Sequence, residues 1–186
     1  SGDSPLLEKS IETLKQLGQY LQEIPFDVIY SSDLPRAVTS AQIIQSQLKD
    51  SCPLQETSLL REWQLGKLEG AKFATLKAIY PEQMNALRSN LAKFDSTMFG
   101  AESVYQTTQR TINFVKSLQD QDFDHVLIVG HGANLTASIQ TLLGYDVPLL
   151  RKDGGLANAS VTVLETSDFE NFNLIVWNDT SYQDNN

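Results

Sequence analysis

Apolar residues recur at Leu7, Ile11, Leu14, Leu17 and Leu21, while Glu8, Lys9, Glu12, Lys15 and Gln16 fill the opposite side. That spacing predicts an amphipathic helix entered after Pro5 and ended by Pro25. The pattern then shortens. Phe26-Asp27-Val28-Ile29-Tyr30 is a brief apolar run that reads as a strand, Ser31-Ser32-Asp33 as helix-capping residues, and the stretch to about Leu48 as a second helix. Residues 53–57 suggest a short strand, and Leu59 to Gly70 a loop punctuated by Gly66 and Gly70. Two helices follow, from about Lys72 to Tyr80 and from Pro81, suited to a first helical position, to about Lys93. A loop over 94–100 leads to a helix from Ser103 to Leu118 with Val104, Ile112, Val115 and Leu118 on its apolar face.

The strongest pattern is Val126-Leu127-Ile128-Val129, too short for a helix and apolar on both faces, as a strand buried in a parallel sheet should be. Gly130-His131-Gly132 turns into a helix that runs to Leu143 and stops at Gly144. A turn at 152–155 and two strands, Val161 to Leu164 and Leu174 to Trp177, complete the chain. Alternating strands and helices predict a single α/β domain over 1–186, a three-layer sandwich with a mostly parallel central sheet flanked by helices. No repeat or linker divides it.

Composition narrows the functional classes. With 41% hydrophobic residues in 186, the chain can bury a core without disulfides or metal. Lys and Arg number 14 against 23 Asp and Glu, a net charge of −9 that opposes attraction to nucleic acid or an anionic membrane. An anionic ligand must therefore be caught by a local cluster. From Asp153 onward there are acidic residues and no Lys or Arg, which reads as a solvated tail. Cys52 is the only cysteine and there are two histidines, so an intrachain disulfide and a Cys/His zinc cluster are both excluded. A reducing cytoplasm is the natural compartment. No apolar run approaches the ~18 residues of a membrane span, and no basic-then-apolar leader opens the chain. A homodimer is neither required nor opposed by anything in the pattern.

In a parallel α/β sheet, ligands sit where strands hand over to helices whose first N–H groups are unpaired. At the first such junction, Pro35 and the capping residues place Arg36 in the first turn of a helix, where its guanidinium can grip phosphate oxygens; the plainer reading is a surface arginine paired with Asp33. At the second, His131 lies between glycines after a buried strand, so backbone can approach a ligand closely; the plainer reading is a histidine capping the next helix. His125 starts the same strand beside Asp124, at the far end of the sheet, and reads as a surface residue. The loop Leu60-Arg61-Glu62-Trp63-Gln64-Leu65-Gly66-Lys67-Leu68-Glu69-Gly70 carries two carboxylates, either able to protonate a leaving oxygen or simply to pair with Arg61 and Lys67. Trp63, Phe73 and Tyr80 read as core or lid packing.

Taken together and in order, these segments resemble the histidine phosphatase superfamily, which includes the cofactor-dependent phosphoglycerate mutases. Ser31-Ser32-Asp33-Leu34 with Arg36-Ala37 looks like the family's serine-aspartate-leucine, arginine-alanine stretch, and Leu60, Glu62, Gly66 and Glu69-Gly70 match its acid-bearing loop. Gly100 with Glu102-Ser103 resembles its glycine-glutamate-serine helix start, His131-Gly132 its second histidine, and Asn158 with Ser160-Val161 a late asparagine-containing stretch. The likeness runs from Asp3-Ser4-Pro5-Leu6 almost to the C-terminus. Gly130, Ala133, Ala101 and Ser10 depart from the usual residues at their positions.

The largest departure is that the family's nucleophile, in an arginine-histidine-glycine motif on the first, central strand, has no match. The resemblance therefore implies a domain lacking its first strand, with the nucleophilic histidine upstream of residue 1; a divergent inactive member is the alternative. It implies a phosphatase that hydrolyses a small phosphorylated metabolite through a phosphohistidine. Arg36, His131 and Gly132 would bind phosphate, with His131 and Glu62 catalytic, Glu62 as a general acid that must be protonated to act. Residues 72–100 would form an inserted helical cap that sets the substrate. No metal or other cofactor is called for. A phosphoglycerate mutase is the runner-up, disfavoured by the compact separation between Glu62 and His131; a phospho-ligand binding module without catalysis is the third reading.

Overall fold

The computed structural model describes residues 7–183. The segment Asp3-Ser4-Pro5-Leu6, part of the family likeness, lies outside the described residues. Helix α1 (Glu8–Tyr20) presents Leu14 and Leu17 to the core, as its period requires. Strand β1 (Val28–Ser32) follows, then α2 (Pro35–Gln47), β2 (Leu54–Thr57), α3 (Phe73–Ile79) and α4 (Pro81–Ser89). Helix α5 (Val104–Ser117), β3 (Val126–Val129), α6 (Gly132–Leu142), β4 (Val161–Glu165) and β5 (Asn173–Asp179) complete the order. Short 3₁₀ turns at Ser58–Leu60, Gly66–Leu68, Leu91–Lys93 and Ser96–Phe99 punctuate the long excursion between β2 and α5.

β1 lies between β2 and β3 in a parallel sheet, with Ile29 opposite Leu54 and Leu127. Its side chains alternate between two apolar layers. Ile29 faces Ala41 of α2, joined by Leu127 and Val129; Val28 and Tyr30 face the other way, toward Phe114 and Leu118, joined by Val126 and Ile128. The result is helix, sheet, helix, with α1 and α2 on one face and α5 on the other. β1 is buried throughout, so its Val-Ile-Tyr run tolerates no polar alternation.

Three expectations change. Ser31 and Ser32 continue β1 instead of capping α2. β4 and β5 form their own antiparallel pair, so the acidic stretch from Asp153 is folded through its described residues and is not a tail. Asp168 there closes a turn by accepting N–H groups of Glu170 and Asn171. Finally, every residue of β3 is only half-buried, although its sequence calls for burial on both faces. Among the described residues β3 has a strand on one edge only.

Between β2 and α5 the chain builds a helical layer on Leu68, Met84 and Phe99, packed by Phe73, Leu76, Leu87 and Phe94. Tyr80 meets Phe99 edge-on and Trp63 meets Phe94 edge-on, so these aromatics serve packing. No helix among the described residues is long and apolar enough to cross a membrane.

Candidate active site

The carboxyl ends of β1 and β3 lie side by side, and the side chains at those ends touch. Ser32, fully buried, accepts the N–H of Leu34 and lies 2.9 Å from His131 Nε2. Pro35 opens α2 and Arg36 is the second residue of that helix, near the positive end of its dipole. His131 occupies the N-cap position of α6 but makes no side-chain cap bond; its ring points to β1 instead. The capping role is therefore not what places this histidine. Asp33 is the partner of Arg61, held at 2.7 Å to each of its oxygens, which draws the carboxyl below its usual range through that hydrogen bond first. The pairs Asp33–Arg36 and Glu62–Arg61 weighed from sequence are replaced by this one.

Glu62 sits in the loop after the 3₁₀ turn Ser58–Leu60. Its Oε1 accepts the N–H of Trp63 at 2.8 Å and of Asn134 at 2.7 Å, and its Oε2 accepts that of Ala133 at 3.2 Å. The carboxylate thus takes up two of the unpaired N–H groups at the start of α6, one helical turn from His131. The N–H of Gly132, at the first helical position, makes no hydrogen bond among the described residues. Glu69 turns back to accept the Leu65 N–H, so it supports the loop and not the site. His125 is exposed, at the far end of β3.

Two residues that hold this arrangement were not singled out from sequence. Arg110 of α5 donates through Nη1 to the carbonyls of Leu59 and Arg61 and through Nη2 to that of Glu62, at 2.7–3.0 Å. Its remaining donors grip both oxygens of Glu102 at 2.9 and 3.0 Å. Glu102 in turn accepts the Gln64 N–H, and its carbonyl accepts Trp63 Nε1. One guanidinium therefore fixes three carbonyls of the acid-bearing loop within four residues. Burial alone would raise the Glu102 pKa, but the hydrogen bonds from Arg110 and Gln64 and the Arg110 charge together outweigh it and lower it. Asn134, fully buried, donates to the Thr107 carbonyl and hydroxyl and accepts from Thr111, tying α6 to α5 behind Glu62. The Ser103–Gln106 capping box starts α5 so that Glu102 and Arg110 meet. Arg110 follows Glu102 by two helical turns, a spacing without a local signature.

The arrangement brings a cationic helix start, an imidazole and a helical N–H that makes no hydrogen bond among the described residues to the carboxyl end of the sheet, with a carboxyl group beside them. That set can hold a tetrahedral dianion and deliver a proton next to it. Among the described residues no group of His, Cys, Asp and Glu could hold a metal ion.

Comparison with known proteins identifies the family and the fold. The model of the histidine phosphatase superfamily (branch 1) matches residues 1–180. Phosphoglycerate mutase-like protein 4 of Arabidopsis thaliana is 30% identical over 155 residues, covering 83% of this chain and 65% of that protein. The 2,3-bisphosphoglycerate-dependent phosphoglycerate mutase of Cytophaga hutchinsonii is 31% identical over 129 residues, covering 67% of this chain and 59% of its own length. This chain therefore spans about two thirds or less of these curated relatives. Among solved structures, YhfR of Bacillus stearothermophilus superimposes with a TM-score of 0.86 at 25% identity, covering 97% of this chain and 87% of that one. The mycobacterial glucosyl-3-phosphoglycerate phosphatase in complex with inorganic phosphate gives 0.84 at 26%, covering 95% and 88%. Sequence, fold and the junction of β1 and β3 lead to one conclusion: the chain belongs to the histidine phosphatase superfamily, branch 1.

Proposed function

We propose that this chain forms most of a phosphatase that hydrolyses a small phosphorylated metabolite through a phosphohistidine intermediate. The observation that carries the reading is the contact of His131 Nε2 with Ser32 Oγ at 2.9 Å, which joins the end of β3 to the strand end that launches Arg36. Arg36, His131 and the N–H of Gly132 hold the phosphoryl oxygens, where charge collects in the transition state. Glu62 is the general acid. Its Oε1 already accepts two N–H groups and Oε2 one, so the proton it delivers sits on Oε2.

The attacking histidine belongs to a strand upstream of residue 1, against the second edge of β3. The half-burial of Val126–Val129 supports this, as do the exposed Val163, Leu174 and Ile175 of the β4–β5 pair. The histidine displaces the alcohol, Glu62 protonates the leaving oxygen, and water then cleaves the phosphorus–nitrogen bond to regenerate the histidine and release inorganic phosphate. Residues 72–100 serve as the cap that selects the substrate. The lone, buried, reduced Cys52 fits a cytoplasmic setting.

The test uses the chain as its gene encodes it. Inorganic phosphate should be released from p-nitrophenyl phosphate without a bisphosphate cofactor, and Arg36→Ala should lower kcat/KM by roughly 10²–10³. Glu62→Gln should slow an alkyl phosphate far more than p-nitrophenyl phosphate, whose leaving group needs little protonation. Interconversion of phosphoglycerates with no net phosphate release would replace the phosphatase with the mutase, and tight phosphate binding with no turnover would replace it with a binding module.

A further inference from the structure

The charged groups around the site come as two couples of sequence neighbours, Asp33 three residues before Arg36 and Arg61 beside Glu62. Each couple is of opposite sign and could close on itself, and either closure would take away a group that the reaction uses. An Asp33–Arg36 pair sets a carboxylate against the guanidinium meant for phosphate; an Arg61–Glu62 pair favours the charged form of the acid. The structure pairs across the couples instead. Arg61 Nε and Nη2 each donate to one oxygen of Asp33 at 2.7 Å, and Asp33 has no other ion-pair partner among the described residues. Glu62 accepts three backbone N–H groups, and no cation pairs with it among the described residues.

The cross pair is not needed to brace the loop. Arg110 already holds the carbonyls of Arg61 and Glu62 at 2.7 and 2.9 Å, and Arg110 is itself fixed by Glu102. At the other end Asp33 follows Ser32, whose hydroxyl meets His131, and β1 is held by a strand on either side. The side chains of Asp33 and Arg61 are 27% and 42% exposed, so each has room to swing to another partner when its own is removed. What depends on the pair is therefore the direction of two charges more than the position of two segments.

We propose that Asp33 and Arg61 are positioning residues that engage each other so that neither closes on its neighbour: Asp33 keeps Arg61 off Glu62, and Arg61 keeps Asp33 off Arg36. The inference rests on the reading that Arg36 takes the phosphoryl group and Glu62 protonates the leaving oxygen. It gives the two residues different signatures. Without Asp33, the guanidinium of Arg61 turns to Glu62 and favours its carboxylate, so substrates whose leaving group needs a proton suffer. Without Arg61, the carboxylate of Asp33 turns to Arg36 and competes with the phosphoryl oxygens, so phosphate binds less well while proton delivery is untouched. Without both, neither misdirected charge exists.

The experiment compares Asp33→Asn, Arg61→Gln and the double variant in the gene-encoded chain. Its readouts do not depend on how much of a sample is folded: the ratio of kcat/KM for an alkyl phosphate to that for p-nitrophenyl phosphate, and the inhibition constant of inorganic phosphate. Asp33→Asn should lower the ratio roughly threefold to tenfold and leave the inhibition constant little changed. Arg61→Gln should raise the inhibition constant by roughly the same factor and leave the ratio alone. The double variant should return both readouts to within about twofold of wild type, the non-additivity expected of two groups that act on each other. A double variant no better than the worse single variant makes the pair a structural brace and overturns the inference. A ratio that Glu62→Gln lowers but Asp33→Asn does not also overturns it, and leaves the phosphatase reading standing. A ratio indifferent to Glu62→Gln, or an inhibition constant indifferent to Arg36→Ala, overturns the reading of the site and this inference with it.

Discussion

Arg110 shows how much of this site depends on one side chain outside it. Its guanidinium and the Glu102 carboxylate are each 19% exposed, and the donors of Arg110 satisfy three loop carbonyls besides Glu102. Replacing it with methionine leaves those carbonyls and a carboxylate short of partners, so Arg110→Met should lower unfolding free energy by about 3–5 kcal/mol. Arg110→Lys should recover less than half, because an ammonium cannot span the same fork. Arg110→Met with Glu102→Met should be less damaging than Arg110→Met alone, since no unpaired charge is left behind. Equilibrium urea unfolding of the four proteins checks the order. The pair also carries a pH signature. Because folding lowers the Glu102 pKa, its stabilisation is complete above the unfolded value and is lost as pH falls through the folded one. The Tm gap between wild type and Glu102→Gln should be full near neutrality and close in acid; a gap that does not narrow below pH 4 would overturn this account.

The elements around the site are set partly by patterns visible in sequence and partly by contacts that no local pattern contains. α2, β3 and α6 follow from period and caps, with ends within a residue or two of expectation because Pro35 marks a start and Gly144 a stop, whereas α1 ends at Tyr20, short of the expected Pro25. The placement of Arg36 and His131 at strand-to-helix junctions was legible for the same reason, since punctuation marks both. Ser31-Ser32 was misread, because serines next to an aspartate look like a cap when the sheet that buries them is out of view. Arg110 and Asn134 were not legible, because the loop carbonyls that Arg110 holds lie 48 to 51 residues away and the side-chain partners of Asn134 lie 23 to 27 residues away, so these contacts exist only once the chain has packed. Gly66 lies between these cases. Its φ of +57° marks a turn that sequence suggests, but its closest neighbour is the Phe99 carbonyl, 2.1 Å from where a Cβ would be. Gly66→Ala should therefore cost well over the ~1 kcal/mol of left-handed strain, because two backbone segments must separate. Gly100→Ala, at φ +63° with open space around it, should cost only about that 1 kcal/mol. Thermal unfolding of the two variants under one condition gives the comparison, and similar Tm losses would refute the close approach of the Gly66 loop to Phe99.

At the scale of the whole molecule the informative feature is an imbalance. β1 is flanked by strands on both sides and buried along its length; β3, with a more apolar sequence, is flanked on one side only among the described residues and is half-buried. Parallel strands of this composition belong in a sheet interior, and an open edge of such residues invites pairing. The proposed nucleophile-bearing strand resolves both points at once: it would cover the β3 edge and deliver its histidine to the carboxyl end of the sheet, where Arg36 and His131 wait. Hydrogen exchange tests the placement directly. Half of the β3 amides point away from β1, and in residues 1–186 alone these should exchange faster than their neighbours that bond to β1. In the gene-encoded chain the same amides should become as slow as those of β1, and a synthetic peptide of the upstream segment added to residues 1–186 should slow them in proportion to its occupancy. Protection of β3 that is identical with and without the upstream segment would place that strand elsewhere, and the source of the nucleophile would then have to be sought at another edge of the fold.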